Sequence, residues 1–304
     1  MPTLLEQRLA LSTCWNAHRH TDGYAMLSEI RELGFSRVEL SHGIPAYLVE
    51  GILRALAESF IQVGSVHNFC PLPAMINHAA PNLFQPSSRR KLERRSWLRY
   101  SLQTLEFASR TGATHVVMHS GSLSFRYRSP VSILKDSIPS KKQQQIKAMH
   151  RLQKRSRKII PRVRSLYEEL LPYAKESNLI LGIENREGLL ELPLDSDMTA
   201  FLSKIDDANL AYWHDTGHAE IKHRLGRLDP LSHLESLSGR LAGFHLHDVN
   251  EAGRDHQPVG TGTVDFRQLA RFIRPEHLLV VELSPRLTPE HVSDSRTSLL
   301  DLLS

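Results

Sequence analysis

The chain has 304 residues, of which 40% are apolar and 23% charged, with a formal net charge of +5. That composition gives a substantial core and excludes a disordered or collagenous chain. It holds no apolar run near the roughly 18 residues of a membrane helix, no secretory pattern at its start, and only two cysteines, Cys14 and Cys70, in no metal spacing. The expectation is a cytoplasmic protein with two free thiols.

The same local pattern recurs along the chain: a short β-rich run, a polar end, a loop, then a helical stretch. Strand-like runs fall at 9–13, 37–40, 62–66, 115–118, 179–183, 209–212, 241–244 and 278–281. Helical patterns follow at 24–33 (capped by Asp22 and closed by Gly34), 46–60, 88–110, 141–176, 197–205, 229–238, 265–273 and 289–303. Pro161 and Pro172 are expected to break or kink the longest of these. Eight such units in 304 residues argue for a single (β/α)₈ TIM barrel over 1–304. The competing fold, an open doubly wound sheet, lacks its Gly-x-Gly-x-x-Gly after the first strand.

Charge is unevenly spread. Residues 126–164 hold 13 Lys/Arg and one acid, Asp136, so this segment carries +12 and the remainder −7. A basic helical insertion at about 126–164 is expected. Its basic face can be a solvated outer surface or a phosphate-binding one.

Chemistry concentrates at the predicted strand ends. The last six strands end in His67, His119, Glu184, Asp215 (with His218 three residues on), His245 and Glu282. His256 lies in the loop after the seventh strand. In a barrel these ends converge on one face. Buried acids and imidazoles in such number are costly without a counter-charge, and a bound divalent cation supplies one. Glu184, Asp215, His245 and Glu282 form an oxygen-rich set suited to Mn²⁺, Mg²⁺ or Co²⁺. Adding His67, His119, His218 and His256 moves the preference towards Zn²⁺. The pattern allows one metal or two.

These stretches resemble the xylose isomerase-like TIM barrels, which include sugar isomerases and epimerases and the endonuclease IV-type AP endonucleases. The likeness runs from Leu9 to Glu282. It is carried by Val66-His67-Asn68, Met118-His119-Ser120-Gly121-Ser122, Ile183-Glu184-Asn185 and His214-Asp215-Thr216-Gly217-His218. It continues in Phe244-His245-Leu246-His247-Asp248, His256-Gln257-Pro258-Val259-Gly260-Thr261-Gly262 and Val281-Glu282. The resemblance to the sugar branch implies that Glu184, Asp215, His245 and Glu282 bind a catalytic cation and that Glu184 and Glu282 act as acid/base groups. It places His218, with His67 and His256, near a carbohydrate substrate. Arg126 or Arg128 would meet a phosphate on that sugar. The resemblance to the endonuclease branch implies three zinc ions and nine ligands. Eight are present: His67, His119, Glu184, Asp215, His218, His245, His256 and Glu282. The ninth, an aspartate, falls at Arg254, with Asp255 adjacent. A keto-polyol dehydratase and a non-catalytic barrel are further readings. No membrane partner is expected, nucleic acid is the secondary partner, and an oligomer is allowed.

Overall fold

A computed structural model of the chain describes residues 4–74, 76, 78–135 and 142–303. Asp136 and Lys141 of the basic run lie outside the described residues. The elements follow in chain order as α1 (Leu4–Arg8), β1 (Leu9–Ser12), α2 (Gly23–Glu32), β2 (Arg37–Leu40), α3 (Val49–Ala57), β3 (Gln62–His67), α4 (Lys91–Arg110) and β4 (His115–Met118). Then come α5 (Val131–Leu134), α6 (Lys142–Glu176), β5 (Ile180–Glu184), α7 (Asp195–Ile205), β6 (Leu210–Asp215), α8 (Thr216–Arg224) and α9 (Pro230–Leu237). The chain closes with β7 (Leu241–Leu246), α10 (Phe266–Ala270), β8 (Leu278–Val281) and α11 (Pro289–Leu302). The eight strands pair in sequence order, all parallel, and β8 pairs β1 to close the barrel. The expected TIM barrel is what the chain forms.

Inside the barrel, Ala10, Val117, Ala211, Trp213, Ala242, Leu278 and Val280 pack as one cluster. The two-residue period of a strand explains the next layer up. Val117, Trp213 and Val280 are each followed two residues later by His119, Asp215 and Glu282. Apolar filler therefore sits directly beneath chemistry. Trp213 is the largest filler, fully buried, with its ring 5.3 Å from that of His245. Gly243 makes room for it. A Cβ there would come within 2.5 Å of Trp213 Cζ3 and 2.7 Å of the Leu278 carbonyl. A second, larger core lies between the strands and the outer helices.

The helix α6 runs unbroken through Pro161 and Pro172, against the expected break. Both prolines are exposed, as are Arg157 and Glu168 four residues before them. Each carbonyl deprived of its partner thus faces water, which lowers the cost. Its buried positions, Ala148, Leu152, Ser156, Ile159, Val163, Tyr167 and Leu170, follow the helical period. Most of its lysines and arginines lie on the exposed outer face. Among the described residues, no helix is long and apolar enough to cross a membrane. Cys14 and Cys70 are both free.

His115 opens β4 at the barrel end remote from the strand C-termini, and it is 8% exposed. Burial, helped by Arg37 and His277, lowers its pKa to about 4. The unfolded chain has a higher value, about 6.5. Its contribution is therefore complete above that pH and is lost as pH falls towards the folded value. Denaturant unfolding of His115→Gln at pH 7 and pH 4.5 should show a smaller loss of stability than the parent, by up to about 3 kcal/mol. An equal loss in both proteins would show that His115 is not the group that charges.

Candidate active site

Each predicted strand-end residue is where the barrel should place it. His67, Glu184, Asp215 and His245 lie within the last residues of β3, β5, β6 and β7, while His119 and Glu282 follow β4 and β8 by one. All six are buried. His245 Nδ1 lies 3.0 Å from Glu184 Oε1, 3.2 Å from Glu282 Oε2 and 3.8 Å from Asp215 Oδ2. One donor atom from each of Glu184, Asp215, His245 and Glu282 falls within 4.8 Å of the others. A second group of the same compactness is His67, His119 and Glu184, and a third is His218, Asp255 and His256. The acid that joins the third group is Asp255, not the residue at 254. Its Oδ2 lies 4.0 Å from His218 Nε2 and 3.9 Å from His256 Nε2.

The imidazoles are turned for ligation. An N–H that donates to oxygen on one ring nitrogen leaves the other with a free lone pair. His67 Nδ1 donates to the Asn68 carbonyl (3.1 Å), His119 Nδ1 to Asn82 Oδ1 (3.3 Å), His218 Nδ1 to the Asn185 carbonyl (3.0 Å) and His256 Nδ1 to the Glu282 carbonyl (3.1 Å). Each Nε2 is then an acceptor. His245 is reversed: its Nε2 meets Glu39 Oε2 at 3.1 Å, and its Nδ1 faces the three carboxylates. His119 Nε2 lies 2.7 Å from Glu184 Oε2 yet makes no hydrogen bond of acceptable geometry. That is the arrangement of two donors aimed at a common point. The residues fit a divalent cation.

Local sequence sets this geometry. Asp215 ends β6 and caps α8, its Oδ1 accepting the His218 N–H at 2.7 Å. One carboxylate oxygen thus fixes the helix while the other, Oδ2, takes the Nε2–H of His247 at 3.1 Å. Gly217 lies inside α8, where a Cβ would overlap the His247 ring. Asn185 ties the strand ends together: it accepts the Asp215 N–H at 2.7 Å and donates to the Asp215 carbonyl at 2.9 Å. Asp248 organises the loop that carries His256. Its carboxylate accepts the N–H groups of Val249, Gly260, Gly262 and Val264 at 2.8–3.1 Å.

Four participants carry no expected role from sequence. Glu39, fully buried in β2, holds His245 and is itself held by Ser12 Oγ (3.0 Å) and Ser65 Oγ (2.7 Å). Arg186 donates from Nη1 to Glu184 Oε2 at 2.6 Å. His247 supports Asp215, and its ring stacks on His256 at 4.2 Å. His42 packs edge-on against His67, with a buried Nδ1 that has no partner among the described residues. In sequence Glu39 is one of two charged residues in β2 and carries no distinguishing signal, and the others had none beyond proximity to a motif. Arg126, by contrast, is exposed, with its guanidinium beside the Tyr127 ring. It is not among the residues lining the cavity described below.

The electrostatics favour a cation. Burial pushes Glu184 up, but the Arg186 guanidinium above all, with His245, holds it well below the usual carboxylate range. Burial likewise opposes ionisation of Asp215, and His218 and His247 overcome it. Burial lowers His245, yet Glu282 and Glu39 raise it well above its ordinary value. Four buried carboxylates, Glu39, Glu184, Asp215 and Glu282, thus surround one imidazole, a donor set that a divalent cation fits. Glu282, Asp255 and His256 also line a cavity of about 700 Å³, together with Cys14, His18, His42, Arg254 and Arg286. That is a volume suited to a small polar molecule.

A family model described as "xylose isomerase-like TIM barrel" matches residues 27–295. No curated protein sequence matches the chain. Among solved structures, a D-tagatose 3-epimerase-like protein shares 17% identity over 97% of each chain, with a TM-score of 0.70. The 3-keto-D-glucoside 4-epimerase of E. coli shares 16% identity over 97% of this chain and 98% of its own, with a TM-score of 0.67. The IolI protein, solved with a zinc atom bound, shares 12% identity over 97% and 98%, with a TM-score of 0.69. At these identities the likeness is one of fold.

The contact at Gly217 makes a direct check. Gly217→Ala should force His247 away from Asp215 and cost about 1–3 kcal/mol of stability as an overpacking change. Chemical denaturation of the two proteins measures it. No change in midpoint would show that the ring and helix have slack at this contact.

Proposed function

This chain belongs to the xylose isomerase-like TIM barrel family, and from that premise we propose that it is a divalent-metal-dependent isomerase or epimerase of a sugar, sugar phosphate or polyol. One observation carries the reading: Glu184, Asp215, His245 and Glu282 converge at the strand C-termini, and Glu282 continues into a cavity of about 700 Å³. Several similar folds are epimerases of small sugars, acting on ketoses such as D-psicose and L-ribulose according to their descriptions.

A cation held by those four residues would act as a Lewis acid on a substrate carbonyl and its neighbouring hydroxyl, making the C–H beside the carbonyl more acidic. The chain supplies the proton chemistry. Glu184 starts ionised chiefly because the Arg186 guanidinium beside it holds it so. Glu282 reaches the cavity from β8 and faces the substrate from another side. One carboxylate takes the proton from carbon, leaving an enediolate. Return of a proton to the opposite face gives the epimer, and its return to the neighbouring carbon gives the isomer. His218 and His256 present Nε2 acceptors towards the site and are assigned to substrate hydroxyls. His67 and His119 lie beside Glu184 and are assigned the same role.

A second reading is supported by the group His218, Asp255 and His256: a zinc-dependent hydrolase cleaving DNA at abasic sites, with more than one metal. Cleavage of an abasic duplex in Zn²⁺ would favour it.

Incubation in D₂O with Mn²⁺ and a panel of ketoses and ketose phosphates tests the main reading. Deuterium should enter a substrate C–H, stop with EDTA, and slow by about 10²–10⁴-fold in Glu184→Gln. A metal-loaded protein that labels no member of the panel would contradict it.

A further inference from the structure

We propose that Arg186 occupies, with its guanidinium, the place a second divalent cation would take beside His67, His119 and Glu184, and so keeps a metal out of that group. The inference builds on the reading above, in which Glu184, Asp215, His245 and Glu282 hold a cation.

Glu184 divides its two oxygens. Oε1 faces His245 Nδ1 at 3.0 Å and belongs to the four-residue cluster. Oε2 faces the other way, towards His119 Nε2 at 2.7 Å and His67 Nε2 at 3.8 Å. The second group is complete as a ligand set, with two buried imidazoles presenting Nε2 lone pairs and one carboxylate oxygen. Zinc accepts such a set readily. The Oε2 atom, however, already carries a cation, Arg186 Nη1 at 2.6 Å.

Arg186 is not a side chain resting there by chance. Its Nε donates to Glu191 Oε1 at 3.3 Å, and Glu191 is fixed in turn by the Gly188 N–H at 2.9 Å. The guanidinium is 13% exposed and braced between two acids. A guanidinium stays protonated at any ordinary pH, so unlike a lysine it cannot give way by losing its charge. A divalent ion entering the second group would share Oε2 with this fixed positive charge at close range. Like charges repel strongly where water is excluded.

The consequence is chemical. Paired metals about 3.5–4 Å apart clamp the attacking and leaving oxygens in phosphoester hydrolysis. A cation fixed in the protein can bind and orient an anionic oxygen but cannot generate a metal hydroxide. With Arg186 in place, His67 and His119 keep free Nε2 acceptors for substrate hydroxyls beside Glu184.

Metal content of purified protein after equilibration with Zn²⁺ and gel filtration, read by inductively coupled plasma mass spectrometry, decides it. His119→Ala in the parent should leave the content unchanged, because no metal sits at that group. Arg186→Gln should gain one equivalent, and Arg186→Gln with His119→Ala should lose that equivalent again. Arg186→Lys, which keeps the charge, should bind as the parent does. Loss of one equivalent from the parent on His119→Ala would overturn the proposal, as would a folded Arg186→Gln protein with unchanged content. The arms also separate this proposal from the one beneath it. Parent protein with no metal, together with a gain in Arg186→Gln that His119→Ala abolishes, would remove the proposed function while upholding the role of Arg186.

Discussion

The carboxylate of Glu184 is the contact on which the site depends. It is buried at the end of β5 and cannot exist there as an anion without company. Oε1 is met by His245 and Oε2 by Arg186, with His119 close by. Each partner is itself held: His245 by Glu39, His119 by Asn82, Arg186 by Glu191. The site is therefore a network in which every charge is fixed from behind before any ligand arrives. Such pre-set dipoles and charges are what allow a site to act without reorganising.

The barrel makes that network possible by its two-residue period. One layer of apolar side chains, centred on Trp213, closes the interior beneath the polar ring. Gly243 gives the indole its space, and the indole gives His245 its floor. The same closure keeps water from below, so the polar ring opens to solvent only on the side of the strand C-termini. There the 249–264 loop, drawn together by Asp248, brings Asp255 and His256 over Glu282. Fold and site are in this sense one construction: the strands that form the core also end in the acids and imidazoles of the site.

The ring was readable from sequence because each ligand closes a β-rich run, and eight such runs admit few arrangements. The eight strands fall where the pattern put them, to within a few residues at their ends. What sequence could not show was the support behind the ring. Glu39 looks like the polar member of a half-buried strand in Arg37-Val38-Glu39-Leu40, yet it is fully buried and pairs with a histidine 206 positions away. Arg186 reads as an ordinary loop cation. The helix α8 is absent from the sequence pattern, because Asp215 serves as both strand end and helix cap, and Thr216-Gly217 has low helix propensity. The prolines of α6 suggested a break that solvent exposure makes unnecessary. Arg126 follows β4 closely in sequence, but it is not among the cavity-lining residues, which include Arg254 and Arg286.

The most direct measurement is an anomalous difference map at the manganese edge, from crystals of this protein grown with Mn²⁺. The expected result is a peak coordinated by Glu184, Asp215, His245 and Glu282, with none between His67 and His119. A map with no peak among those four residues would contradict it.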